Sequence, residues 1–489
     1  MIGRPRSLLW TLTLLASSTS PASLFRKQPA GLLLLASAFT TTTTASAIAF
    51  KSGISQRQAT YFTSARTTLT MAKSSDDAQK KIKNIVVVGG GIQGTSVAYQ
   101  LAKAAASSAS DNDTKITILE AKAVASAASG KGGGFMARSW GDGSPTQGLH
   151  ELAFDMYEEL AAELKCESYR KLPVISVSPG RGSQSFQSND PIVPNWLDGN
   201  VARISPMGYG EDTAQITPKE FVEQMLQHAP GIRVVLGKCT GVETAGDEGE
   251  EQITGVKYMN SSRDSDEEKT LPADVVVVSA GPWSCQAEDW FPNAGLELPM
   301  EGIKSTSIVW NKPEDRDVDA TALFCGENSN FGTHLEVYPR PDGSIYICGI
   351  GGSDYISTAQ LKEGAFLENC EANPTRVEAA QASFRDMAPQ YKEENGGSLE
   401  KSQACMRPCP PDAMPYMGAV PGYTGAYLNA GHNCWGIAWA PASGKAMAEL
   451  IWEGSCSSIN LKPFDPVRFT PKLAQRGRKR RGTNVGEQW

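Results

Sequence analysis

The stretch "I-V-V-V-G-G-G-I-Q-G-T-S-V-A-Y-Q-L-A-K-A" at 85–104 limits the folds open to this chain more than any other. Its first half is a continuous apolar run, which suits a strand buried on both faces of a parallel sheet. Its second half has helical spacing through Leu101, and glycines separate the two. After the polar "D-N-D-T" comes "K-I-T-I-L-E", a second strand ending at Glu120. Strand, glycine turn, helix and strand in that order predict a parallel α/β unit.

Gly89, Gly91 and Gly94 have the G-x-G-x-x-G spacing. The first glycine permits the tight turn, the second lets the backbone approach a pyrophosphate, and the third lets helix and strand pack closely. Ile92 and Thr95 open the helix, whose N-terminus faces the phosphates. Glu120, at the end of the next strand, is placed to bind ribose hydroxyls, so the unit predicts a dinucleotide site. The fingerprint is common to nicotinamide and flavin cofactors. The run "A-A-S-G-K-G-G-G-F-M-A-R-S-W" that follows has the glycines and hydroxyl donors to wrap a larger cofactor.

Further along, "D-V-V-V-V-S-A-G-P-W-S" predicts a return to the parallel sheet, as does the strand in "A-Y-L-N-A-G-H-N-C-W-G". Thr217, Pro218 and Glu220 predict a helix start with a capping box. "H-L-E-V-Y-P-R" and "S-I-Y-I-C-G", joined by "R-P-D-G", predict an antiparallel hairpin in a second sheet. The closing helix is expected to start at Pro441 and stop at Gly454.

With 489 residues, 40% hydrophobic and 20% charged, the chain can build a large core. Its net charge of −7 is unevenly spread. Residues 1–75 hold eight Lys or Arg and no acid, against 38 basic and 53 acidic residues in the remainder. Two short apolar runs, the junction "A-S-A-I-A-F" and a basic Ser/Thr-rich segment read as a signal peptide followed by a transit peptide. Plastid delivery is expected, with a mitochondrial leader as the alternative, and no stable membrane span in the mature protein. The basic run 476–482 reads as a solvated tail rather than a nucleic-acid site. Ten cysteines without C-x-x-C, and only four histidines, argue against a disulfide scaffold or a metal site.

Between residues 83 and 455 these motifs, with "R-P-C-P-P-D-A-M-P-Y-M-G" and "G-H-N-C-W-G-I-A-W-A", resemble the D-amino-acid oxidase superfamily of FAD-dependent oxidoreductases. The resemblance implies an α/β fold: a glutathione-reductase-type, Rossmann-like FAD-binding domain with an inserted substrate domain on a mixed or antiparallel sheet. The FAD-binding part is expected over 82–165, 215–295 and 400–458, the substrate part over 166–214 and 296–399, and a basic tail over 470–489. Carried across, the resemblance places Ser129, Gly130, Lys131 and Gly134 beside the phosphates and ring, and Val242 at the adenine. Ala280 and Gly281 would line the cofactor, and Gly431, His432, Gly436 and Ile437 would lie over the flavin's pyrimidine edge.

The expected reaction is oxidation of the C–N bond of a small amino acid, N-methyl amino acid or imino acid, with dioxygen or another acceptor. A 2-hydroxy-acid oxidoreductase and a flavoprotein with an assembly role are the alternatives. Arg407 is the expected clamp for the substrate carboxylate, because its planar fork binds both oxygens. Tyr338 and His432 are further catalytic candidates, with Arg340 as a weaker one for the pocket wall. Non-covalent FAD is expected, although Cys405 falls where the sarcosine-oxidase branch attaches its flavin. The lysine of that branch after the glycine-histidine turn is replaced here by "W-G-I-A-W-A", which counts against N-methylglycine.

Overall fold

The computed structural model describes residues 82–107, 113–180, 190–229, 231–260 and 267–470. The expected leader and the basic run 476–482 lie outside them. The chain begins with β1 (Asn84–Val88), α1 (Ile92–Ser107), β2 (Lys115–Glu120), β3 (Phe135–Ala137) and α2 (Gln147–Glu163). Next come β4 (Arg170–Lys171), β5 (Val174–Pro179), β6 (Val201–Gly208), β7 (Thr213–Gln215) and α3 (Pro218–His228). Strands β8 (Ile232–Ala245), β9 (Glu251–Asn260), β10 (Glu268–Pro272) and β11 (Val275–Val278) lead to the short α4 (Ala287–Trp290). Then follow β12 (Glu301–Asn311), β13 (Ala322–Cys325), β14 (Glu336–Pro339), β15 (Ser344–Cys348) and β16 (Asp354–Ile356). Helices α5 (Thr358–Lys362) and α6 (Pro374–Met387) precede β17 (Ser398–Cys409), β18 (Tyr416–Ala419), β19 (Tyr423–Thr424), β20 (Ala426–Ala430) and α7 (Gly436–Glu453).

The first sheet has the order β10-β9-β8-β2-β1-β11-β20-β18, with β19 on β9. Strand β1 lies parallel to both β2 and β11, and β11 parallel to β20, as the apolar runs predict. Ile85 and Val87 pack with α1, α2, α3 and α7, whereas Val86 and Val88 pack on the other face with Phe291, Leu298 and Met300. A strand buried on both faces needs an unbroken apolar sequence, and "I-V-V-V" supplies it.

The second sheet runs β16-β12-β15-β14-β13-β5-β6, with β17 along β12. The predicted hairpin joins β14 to β15 in antiparallel register. Val337, Ile345, Ile347, Ile308 and Trp310 pack against α6 and Tyr391, each such side chain contributing roughly 1.5–3 kcal/mol. The alternate residues, Glu336, Tyr338, Tyr346 and Cys348, therefore face the other way. A small sheet, β3-β7-β4, completes the fold. Among the described residues no helix is long and apolar enough to cross a membrane.

Three local expectations change. Residues 400–409, assigned from sequence to the cofactor-binding part, form most of β17, which pairs along β12 in the second sheet. Glu220 makes no capping box; it accepts from the backbone N–H groups of Glu167 and Ser168 instead, at 2.7 and 3.1 Å. The last helix starts at Gly436, so Pro441 is interior to it. Proline has no N–H to give the carbonyl four residues earlier. That carbonyl, on Ile437, accepts instead from the Tyr157 hydroxyl at 2.5 Å. Gly454 ends the helix in the left-handed conformation, as expected.

Candidate active site

A cavity of about 1150 Å³ lies between the carboxyl ends of the central β1, β2 and β11 strands and the face of the second sheet that carries Tyr338 and Tyr346. At its dinucleotide end Gly89 has φ +108°, and a Cβ there would sit 2.4 Å from the Ser279 carbonyl oxygen. A Cβ on Gly94 would sit 2.0 Å from the Gly89 oxygen. Gly94 thus lets α1 start against the turn, and it does not line the cavity. Gly91 faces Ser129, whose hydroxyl accepts from the Ile92 N–H at 2.9 Å. Glu120 accepts from the Gly90 N–H at 2.7 Å and the Lys122 N–H at 3.0 Å, which fixes its carboxylate at the cavity wall. Only a ligand chain that brings its phosphates against bare backbone and its hydroxyls to Glu120 uses all of these features.

Ala280 and Gly281 line the same end of the cavity. Thr95 and Val242 do not: Thr95 is fully buried within the α1 packing, and Val242 is half-buried against the core behind the sheet. β8 pairs with β2 only as far as Leu236, opposite Glu120, so Gly237, Lys238 and Cys239 reach the cavity in place of Val242. Gly130 is also outside the wall; its Cβ would collide with the Ala125 oxygen at 1.9 Å. The following glycines are closed in from three directions. A Cβ on Gly132 would meet Ile437 of α7, one on Gly133 would meet Tyr338 and Tyr346, and one on Gly134 would meet the Ile216 oxygen. Lys131 lines the cavity, but its ammonium is tied to the Ala404 carbonyl at 2.9 Å.

The far end is walled by the second sheet and by the turn into α7. Gly431, His432, Gly436 and Ile437 line it, and the α7 N-terminus, now at Gly436, points its partial positive charge there. His432 is 2% exposed and its Nε2 lies 3.1 Å from the Ser443 hydroxyl. Burial lowers its pKa to about 3, so the ring stays neutral and serves as a packed partner of α7. Tyr338 is stacked on Phe135 at 5.5 Å and donates its hydroxyl to Glu336 at 2.5 Å. Burial holds that phenol protonated, which leaves it a wall residue and no base. Arg340 lies behind this wall, reaching the Gly132 carbonyl at 3.3 Å and the Tyr346 ring at 5.3 Å.

Arg407, on β17, faces the cavity with its Nε buried and without a hydrogen-bond partner. No carboxylate among the described residues comes within ion-pair distance of it. The Cys434 thiol adjoins the guanidinium and lines the cavity; burial by the surrounding protein pushes it up to about 11. Cys405 lines the wall too, its thiol also raised to about 11 by burial. Cys409 turns away to the Asn433 side-chain oxygen at 2.9 Å. Two wall residues escaped the sequence reading, Glu336 and Cys348. Glu336 was within reach, because period-two alternation puts it on the face of Tyr338.

The family model for FAD dependent oxidoreductases (DAO) matches residues 84–450. The chain belongs to this family. It is therefore an FAD-dependent oxidoreductase, and the cradle of Gly89, Gly91, Ser129 and Glu120 fits the cofactor's diphosphate and ribose. A Schizosaccharomyces pombe protein named as an oxidoreductase is 27% identical over 408 residues, 78% of this chain and 98% of that one. Glycine oxidase of Pseudomonas putida is 32% identical over 219 residues, 44% of this chain and 49% of its own. Among solved structures, L-proline dehydrogenase from P. horikoshii superposes with a TM-score of 0.60 at 16% identity, covering 82% of this chain and 100% of its own. Glycine oxidase from Geobacillus kaustophilus gives 0.58 at 16% identity over 78% and 98%. Both have the fold of this chain.

Proposed function

We propose that this enzyme oxidises the C–N bond of a small amino acid, N-methyl amino acid or imino acid, with Arg407 holding the substrate carboxylate. The observation that carries the reading is Arg407, which lines the cavity wall with its Nε buried and without a hydrogen-bond partner. Such a charge is costly to bury alone and is satisfied by a bidentate carboxylate. Bound FAD would supply the hydride acceptor. Arg407 orients the substrate, and the Tyr338 and Tyr346 rings exclude water from it. Tyr338 keeps its proton and His432, in the wall, is held neutral, so the chemistry rests on an already deprotonated amine. The names of relatives and fold neighbours, glycine oxidase and L-proline dehydrogenase, agree with a small amino-acid substrate.

The test is an anaerobic panel of amino, N-methyl, imino and 2-hydroxy acids, read by bleaching of the flavin. Reduction by an amine-bearing acid is the expected result, and reduction by hydroxy acids alone would overturn the reading. With the best substrate, Arg407→Ala is expected to raise KM about a hundredfold, or roughly 2.7 kcal/mol. An unchanged KM removes the clamp.

The protonated, buried Cys405 thiol favours FAD held without a covalent bond. Acid precipitation should leave the flavin in the supernatant. The composition of residues 1–75 supports delivery to a plastid, with the mitochondrion as the alternative. A fluorescent protein fused behind this segment shows by its location which of the two holds.

A further inference from the structure

Glu336 brings a carboxylate to the same sheet face of the cavity wall as Arg407. It lies opposite Phe324 on β13 and Cys348 on β15, so the three side chains share the face that carries Arg407. Its Oε2 accepts from the Tyr338 hydroxyl at 2.5 Å and the Cys348 thiol at 3.4 Å. Among the described residues its Oε1 has no hydrogen bond, and no cation lies within ion-pair distance. Arg407 feels the Glu336 charge without touching it. The wall therefore presents a cation and an anion that do not neutralise each other, which an apolar or singly charged ligand would leave half satisfied.

The surroundings of Glu336 are aromatic. Phe324 packs against Phe135 and Trp140 at 5.2 Å each and against Tyr338 at 5.9 Å. Ring faces beside a carboxylate favour an organic cation. A nitrogen held there keeps its proton, since the carboxylate and the rings stabilise the charged form. The nitrogen next to the oxidised carbon must instead present its lone pair. The two nitrogens are thus different atoms of the substrate.

We infer that the site selects amino acids bearing a second, cationic nitrogen on the side chain, such as an ammonium or N-methylated ammonium, with Glu336 as its acceptor and Arg407 as the carboxylate clamp. This rests on the C–N oxidation proposed above and narrows it to a substrate class.

The test uses the FAD-loaded enzyme and two ligands without an α-amine, ε-aminocaproate and caproate, titrated through their perturbation of the flavin spectrum. ε-Aminocaproate is expected to bind at least about tenfold more tightly, the value of one charge-assisted hydrogen bond. Glu336→Gln should abolish that difference while leaving caproate within about twofold of its wild-type affinity. Glu336→Asp, which keeps the charge, should retain part of it. Equal binding of the two ligands by the wild-type enzyme overturns the inference, whatever the variants do. So does a Glu336→Gln variant that weakens both alike. If the clamp reading failed, Arg407→Ala would leave caproate binding unchanged, a result separate from either of these.

Discussion

Three buried polar residues in or beside the cavity have different fates, which their neighbours decide. Arg407 keeps its charge and has no carboxylate partner among the described residues, His432 gives up its charge, and Tyr338 keeps its proton while donating a hydrogen bond to Glu336. His432 makes the clearest prediction. In the unfolded chain a histidine takes up a proton as pH falls through about 6.5, whereas the folded site does so only near 3. Between those values the unfolded state binds more protons, so stability is full above about 6.5 and falls as the pH is lowered. The loss is about 1.4 kcal/mol per pH unit inside the window. Urea unfolding at neutral and mildly acid pH should show the wild type losing more stability than His432→Gln. Parallel losses would mean that the ring is not held neutral.

Among the elements, α7 shows most plainly how distant groups repair a local defect. An interior proline normally breaks a helix. Here the carbonyl it strands, on Ile437, is capped by Tyr157 from α2. Tyr157→Phe should therefore cost about 1–3 kcal/mol, the penalty of a buried unsatisfied carbonyl. Pro441→Ala restores a backbone donor to that carbonyl, so the double variant should lose less than the sum of the singles when measured by denaturant titration. Additive losses would separate the two residues.

The same helix marks where sequence reading stops. Strands β1, β2 and β11 were legible because burial on both faces demands unbroken apolar runs, and the β14–β15 hairpin because alternation and "R-P-D-G" are local signals. Pro441 was misplaced because a proline near a helix start is usually its first residue, and nothing local announces Tyr157. Val242 was misplaced because β8 shifts register twice against β9, and pairing with β2 decides which of its residues meets the cavity. Gly89, Gly91, Glu120 and Arg407, singled out by residue type and spacing, all line the cavity. β17 was assigned to the wrong sheet because a strand's sequence does not name its partner.

At the scale of the molecule, two sheets with separate cores meet at one cavity, and the cofactor would bridge them. FAD should consequently behave as a folding ligand. At a hundred times its Kd it adds about 2.7 kcal/mol to stability, and the midpoint rises further with the logarithm of its concentration. Melting of flavin-stripped enzyme against increasing FAD checks this. A midpoint indifferent to FAD would mean that the glycine cradle is complete without it.

The tripeptide Gly132–Gly134 has a consequence for anyone who would redesign this enzyme. Each of its positions abuts a different part of the molecule: α7, the second sheet, and the segment before α3. A library varied there would be lost to misfolding before selection could act on it. Glu336, Cys348 and Phe324 stand on the strand wall of the cavity, and exchanging them leaves those three contacts alone. New specificities for this scaffold are therefore to be sought on the strands, with the glycines left as the fixed hinge of the design.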